Sequence, residues 1–271
     1  MILCLLLWAF VIEPNRLVVR EVPLALPGWP RPLDGMKVAL ISDLHVGAPF
    51  VGEDKLAQVV AETNGAAPDL VLLLGDYIVG GEPGASFVAP ERIAQTLGGL
   101  HARLGVYAVM GNHDWWFDGD RVTRAFAAAG LRVLENEVLE LHDRGQPLWI
   151  AGLADLTTRA QDVGGTLARA GAGPVIAFTH EPDVFPEIPG RVTLTVAGHT
   201  HGGQVALPLV GRLVVPSRHG QRYAIGHVVE AGRHLFVTPG VGTSILPVRF
   251  GVPPEITILV LHGSAAVDAL P

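Results

Sequence analysis

Charge is scarce in this chain of 271 residues: 17% are Asp, Glu, Lys or Arg, against about 25% in an average soluble domain. With 49% hydrophobic residues beside so little charge, intrinsic disorder is excluded, because a disordered chain is poor in apolar groups and rich in charge. Basic residues are few, 19 Lys and Arg against 26 Asp and Glu, for a net charge of −7. No electrostatic footprint for nucleic acid is present, and no nucleic-acid binding is expected. Cys4 is the single cysteine, which excludes a disulfide framework and leaves Cys4 as a small hydrophobe. The 33 glycines and 21 prolines follow no three-residue period, so they mark turns rather than a collagen repeat.

Long apolar runs are also lacking, with one exception at the front. Met1–Ile12 (MILCLLLWAFVI) is uninterruptedly apolar. As a helix it spans roughly 18 Å, short of the ~30 Å hydrocarbon core. No basic n-region or small-residue cleavage site accompanies it, so it is not read as a secretory signal. Three readings stay open: a short membrane-seated helix, the tail of an anchor that starts upstream, or a core helix. The mean hydropathy of +0.39 favours membrane association by shallow attachment. Arg16, Arg20, Arg31 and Lys37 follow the run and tilt the rest of the chain toward the cytoplasmic side.

Residues 13–34 read as a linker or edge segment, with an edge strand around Leu17–Val22. From residue 35 to 271 a single domain is expected. Lys37–Ser42, Leu70–Gly75 and Val106–Met110 are short apolar runs, and Glu53–Thr63 and Pro90–Leu104 between them have helical spacing. Arg121–Gly130 and Thr157–Gly171 read as further helices. In the second half Leu148–Leu153, Val175–Thr179, Val192–Ala197, Leu235–Thr238 and Ile256–Leu261 read as strands. Two packed sheets with helices outside accommodate both halves.

The chemistry lies where the apolar runs end. Asp43-Leu44-His45, Gly75-Asp76, Gly111-Asn112-His113-Asp114, Thr179-His180-Glu181 and Gly198-His199-Thr200-His201 each directly follow a strand-like run. Ligands bind at the carboxyl ends of strands in sheets of this kind. Any one strand-end Asp or His is usually a turn former or a solvated residue; five such clusters in order are not. Asp, Asn and His offer oxygen and imidazole donors suited to Mn, Fe, Zn or similar divalent ions. Gly75, Gly111 and Gly198 let the backbone bend sharply and approach closely beside the polar groups.

The series D-x-H, G-D, G-N-H-D, a lone His and G-H-T-H resembles the calcineurin-like metallophosphoesterases, over about Gly35 to Leu261. The stretches IEPNRL, GHTHGGQVALPLVGRLVVPS and TPGVGTSILPVRFGVPPEI are similar to the small, often membrane-associated bacterial phosphodiesterases of that family. The resemblance implies a four-layer αββα sandwich of two mixed β-sheets flanked by helices, and two divalent metal ions. Asp43, His45 and His201 would hold the first, Asn112, His180 and His199 the second, and Asp76 would bridge them. It implies hydrolysis of phosphodiester or pyrophosphate bonds by metal-hydroxide attack, with His113 facing the phosphate as proton donor. The partner is then a phosphate-ester substrate at a membrane surface, including lipid-linked ones, since one relative cleaves UDP-2,3-diacylglucosamine.

Asp114 reads either as a residue that orients His113 or as an exposed turn former. Arg249, in a Gly- and Pro-rich loop, reads as a fork for a substrate phosphate or as a structural salt bridge. Trp115, Trp116 and Phe117 read as core or as an apolar wall for a lipid or base. Two rival functions stand beside the leading one. The first is a soluble phosphomonoesterase or nucleotidase with the same centre. The second is a non-catalytic scaffold, which the intact ligand set disfavours.

Overall fold

A computed structural model describes residues 1–81 and 83–264. The strands in chain order are β1 (Val18–Pro27), β2 (Met36–Ile41), β3 (Leu70–Leu73), β4 (Val106–Ala108), β5 (Arg132–Val133), β6 (Glu137–Asp143) and β7 (Gln146–Gly152). They continue with β8 (Val175–Phe178), β9 (Leu194–Ala197), β10 (Ala206–Leu207), β11 (Gly211–Arg212), β12 (Gly226–Glu230), β13 (Arg233–Val237) and β14 (Glu255–Ser264). The α-helices are α1 (Ile2–Leu7), α2 (Glu13–Asn15), α3 (Glu53–Gly65), α4 (Pro90–Leu97), α5 (Asn112–Ala128) and α6 (Val163–Ala168).

Two six-stranded sheets dominate, in the orders β1-β14-β2-β3-β4-β5 and β12-β13-β9-β8-β7-β6. Both are mixed. In the first, β2 to β5 run parallel while β14 is antiparallel to β2. In the second, β7, β8, β9 and β13 run parallel, with β6 and β12 antiparallel at the edges.

The period-2 alternation of a strand decides which layer each residue enters. Val38 and Leu40 of β2 and Leu70 and Leu72 of β3 pack between the sheets, against Ile150, Ile176, Phe178 and Val196 of the second. Ala39, Ile41, Val71 and Leu73, one position off, pack under α3, α4 and α5. Ala151, Ala177, Val175 and Val237 do the same on the far face, beneath α6 and the 3-10 turn Pro182–Glu187. Strands covered on both faces need apolar residues at every position, which is why they read as unbroken apolar runs. The result is the expected four-layer αββα arrangement.

Residues 13–34 contribute β1, which pairs in parallel along its whole length with β14 at the edge of the first sheet. Trp29 and Leu33 from the same segment are buried between the sheets.

The expected membrane association is not supported. No helix among the described residues is long and apolar enough to cross a membrane. The apolar run forms α1, a π-helical turn at Trp8–Ile12 and then α2, and its far end is spent on the protein itself. Ala9, Glu13 and Pro14 are buried, the Trp8 indole donates to Glu13, and the Ala9 carbonyl accepts from the Arg249 backbone N–H at 3.0 Å. The cytoplasmic orientation inferred from the basic residues falls with it.

Candidate metal centre

Five strands end at one edge of the sandwich: β2, β3 and β4 from the first sheet, β8 and β9 from the second. The turns that follow them carry all five polar clusters, and the seven predicted ligands meet there. Asp43, His45, Asp76, Asn112, His180 and His201 are buried, and His199 is half-buried. Asp43, His45, Asp76, His199 and His201 all adopt positive φ, between 42° and 67°. Non-glycine residues rarely occupy this region, and such strain gathers at functional sites. Close approach also requires glycine at two neighbouring points. A Cβ at Gly198 would overlap the Ser42 hydroxyl, and one at Gly111 would overlap the Asp76 carboxylate.

The distances describe converging lone pairs. His180 Nδ1 lies 2.8 Å from the Leu74 carbonyl oxygen. That oxygen can only accept, so Nδ1 carries the hydrogen and Nε2 is left to the site. Around this Nε2 stand Asp76 Oδ2 at 3.2 Å, Asn112 Oδ1 at 3.2 Å and His199 Nδ1 at 3.1 Å. Likewise His201 Nδ1 faces the Gly242 carbonyl at 3.3 Å, which turns Nε2 toward Asp43 Oδ1 at 3.5 Å and His45 Nε2 at 3.3 Å. Asp43 Oδ1 has no hydrogen-bond partner. Acceptors facing acceptors in a buried space are unfavourable unless a positive charge lies among them.

The titration of these groups expresses the same demand. Burial pulls His180 down, yet the neighbouring Asp76 and Asp43 charges push it well above its ordinary value. Burial likewise works against Asp76, but His180 holds its carboxyl below the usual carboxylate range. Asp43 rises to about 6 through burial and the Asp76 charge. His45 falls to about 3 and His199 to about 4, chiefly by burial, so both present neutral imidazoles. Three groups have the geometry to hold a metal ion: Asp43–His45–His201, Asp76–His180–His199 and His45–Asp76–His113, each with donor atoms within 4.8 Å of one another. The donor set fits hard to borderline divalent cations.

His113 borders the site. Its backbone N–H donates to Asp76 Oδ1 at 2.9 Å, and its ring stands edge-on to His45, with centroids 4.7 Å apart.

Two further predicted residues do other work. In sequence Asp114 reads as orienting His113 or as an exposed turn former; in the structure it is buried, and its two oxygens accept from the backbone N–H groups of Asp76, Tyr77, Ile78 and Gly111 at 2.9–3.1 Å. It braces the turn that presents Asp76. In sequence Arg249 reads as a fork for substrate phosphate or as a structural salt bridge. In the structure it is fully buried and its hydrogen bonds go to backbone carbonyls, so its role is structural but without a carboxylate partner among the described residues. Nε and Nη2 reach Gly242, Nη1 reaches Val252, and Nη2 also reaches Pro239 and Gly240. Burial lowers its pKa to about 10, with Asp43, Glu13 and Glu255 opposing the fall, so it stays charged at neutral pH. The loop it clamps donates from Val241 and Gly242 to the Ser42 and Asp43 carbonyls and supplies the carbonyl that faces His201. Arg249 thus positions one imidazole without touching the site.

The tryptophan pair divides. Trp115 packs on the core, donating to Glu135 and lying under the Arg159 guanidinium, whereas Trp116 and Phe117 are exposed. Tyr77 and Phe87 carried no sequence signal. Tyr77 is buried, donates to the Val109 carbonyl and accepts from Gly75 N–H, so it ties the turn after β3 to the end of β4. Phe87 stands beside Phe117.

A sandwich of two mixed sheets with clustered Asp and His at its strand ends is the architecture of a metal-dependent hydrolase. The calcineurin-like phosphoesterase family matches residues 36–203, and the chain belongs to it. It is a metal-dependent phosphoester hydrolase. The metallophosphoesterase YkuE of Bacillus subtilis is 33% identical over 95% of this chain and 90% of its own length. The phosphodiesterase YaeI of Escherichia coli is 30% identical, over 83% of this chain and 82% of its own. A zebrafish (Danio rerio) transmembrane protein with a metallophosphoesterase domain is 30% identical over 92% of this chain, which spans only 58% of that longer relative.

Proposed function

We propose that the chain is a dinuclear phosphodiesterase, its catalytic unit residues 35–271, in which Asp43, His45 and His201 hold one divalent cation. Asn112, His180 and His199 hold the second, and Asp76 is shared. The observation that carries this reading is the convergence of lone pairs on two points, with Asp76 Oδ2 3.7 Å from His45 Nε2 and 3.2 Å from His180 Nε2. When bound, two such cations lower the pKa of a shared water and clamp the phosphoryl oxygens. The protein's own share is orientation and proton transfer. The Leu74 and Gly242 carbonyls fix the His180 and His201 tautomers, as outer partners of ligating histidines do. Asp114 holds the Asp76 turn. His113, with its ring bordering an open cavity, is the residue placed to pass a proton to the leaving oxygen. Mn, Fe and Zn all suit the donor set.

The diester preference is supported by the relative named a phosphodiesterase. Metal-reconstituted protein should hydrolyse bis(p-nitrophenyl) phosphate faster than p-nitrophenyl phosphate and bind close to two metal ions per chain by elemental analysis. UDP-2,3-diacylglucosamine forms a lipid-linked arm of the same screen. A single ion at saturation, or a preference for the monoester, overturns the reading.

A further inference from the structure

Beside the candidate metal centre lies an open cavity of about 730 Å³, walled by the Val79–Gly81 and Ala85–Phe87 stretches on one side and by His113, Trp116 and Phe117 on the other. Helix geometry builds the second wall. Asn112 opens α5 and turns toward His180, and positions three and four residues beyond His113 return to its face, which places Trp116 and Phe117 over the cavity. The helix then breaks at Asp118, whose backbone is non-helical, so this opening turn and a half stands apart from the rest of α5.

Two sets of ring contacts lie on the side of the metal centre that faces the cavity. His45 meets His113 at 4.7 Å and His113 meets Trp116 at 5.1 Å, while Phe87 and Phe117, both lining the cavity, pack against each other at 5.5 Å. Trp116 is 64% exposed and Phe87 60%, which is costly for large apolar groups unless something covers them. Among the described lining residues the polar side-chain groups are the Ser86 hydroxyl, the His113 imidazole and the Trp116 indole N–H. Three such groups on a mostly apolar wall are a sparse set for the hydroxyl pattern of a sugar, which needs convergent donors and acceptors. The wall can stack a flat ring, and ring–ring contacts add attraction beyond the area they bury.

We infer that this cavity is the subsite for the organic substituent of the phosphate ester, and that it selects a planar aromatic group. The inference rests on the phosphoesterase reading and adds the substrate class to it. A nucleobase and a simple aryl ester share this chemistry.

The test compares ligands that each carry one substituent on one phosphoryl group: methylphosphonate, hexylphosphonate, phenylphosphonate and thymidine 5′-monophosphate. Affinities are measured by calorimetry on the metal-loaded full chain, and inhibition constants against bis(p-nitrophenyl) phosphate hydrolysis. Phenylphosphonate should bind about tenfold tighter than methylphosphonate, or about 1.4 kcal/mol. Trp116→Ala and Phe87→Ala should bring that ratio toward one, and Trp116→Phe, which keeps a ring, should preserve it. Because both side chains are largely exposed, truncation spares the core. A nucleotide as tight as phenylphosphonate assigns the ring to a base; a weaker one assigns it to an aryl group. Hexylphosphonate binding as tightly as phenylphosphonate, or a ratio unmoved by both alanine variants, overturns the inference while leaving the phosphoesterase reading intact. Retained phenylphosphonate selectivity without hydrolysis of any ester would overturn the phosphoesterase reading alone.

Discussion

The two sheets bring different chemistry to their common edge. The first contributes both carboxylates and the amide, Asp43, Asp76 and Asn112, together with His45 and His113. The second contributes imidazoles alone: His180, His199 and His201. The first side is braced from within, by Asp114 on the backbone of residues 76–78 and by Tyr77 on Val109. The second side is oriented largely from outside itself. His180 hydrogen-bonds Leu74 of the first sheet, the His199 N–H donates to Asp43, and His201 relies on the Gly242 carbonyl in the loop before β14. Negative charge therefore sits on one side and imidazoles on the other, and a cation completes a seam that neither sheet closes alone.

The sharpest way to break this division is to discharge the first side. Asp76→Asn should strip metal from both positions and lower activity by at least about 10²-fold, beyond the 10–100-fold usual for groups outside the ligand set. His113→Ala on the same side should keep metal content near wild type while turnover falls about 10²-fold or more. Elemental analysis beside kinetics separates them, and equal metal loss in both would make His113 a ligand.

A smaller effect is expected from loosening the second side. Arg249→Met leaves several buried carbonyls without donors, at about 1–3 kcal/mol for an unsatisfied group. The urea midpoint should drop, and metal content should fall in proportion to how far His201 is freed. An unchanged midpoint would mean that the loop holds itself.

The smallest effect concerns pH. Burial and the neighbouring Glu181 charge raise Asp155, behind His180, to about 7. The unfolded chain releases this proton near pH 4 and the folded chain near 7, so the native state binds more protons between them. Its contribution to stability is full below about pH 4 and is lost as pH rises through about 7. Metal-free wild type should lose more stability between pH 5 and 8 than Asp155→Asn, as read from urea midpoints. Equal losses would mean that Asp155 does not titrate in this window.

Much of the first side was legible because its signals are local. Each buried parallel strand is an apolar run, and each run stops at a polar cluster that the chain places on the sheet edge. The second sheet's edge strands were less visible. β6 mixes Glu137, Glu140 and His142 with half-buried apolar residues, so no continuous run announced it. Helix α5 was expected from Arg121 but begins at Asn112, because the break at Asp118 divides its pattern in two. The helix expected over Thr157–Gly171 shrinks to α6, since Thr157 and Thr158 donate their N–H groups to Glu181 and Asp155. Arg249 and Asp114 were misread for one reason: their partners are backbone atoms distant in sequence, and side-chain type does not encode them. The apolar front segment misled through composition, which gives hydrophobicity but not which end is anchored to the protein.

The order of strands has a consequence for biosynthesis. β14 lies between β1 and β2, so two strands made early wait for one made late. At 5–20 residues per second the wait is roughly 10–50 s. Until then the facing edges of β1 and β2 offer unpaired backbone groups, a template for mispairing with other nascent chains. The loop that steadies His201 arrives in the same late portion, just ahead of β14. Metal capture on the ribosome would therefore meet a His201 not yet held by the Gly242 carbonyl.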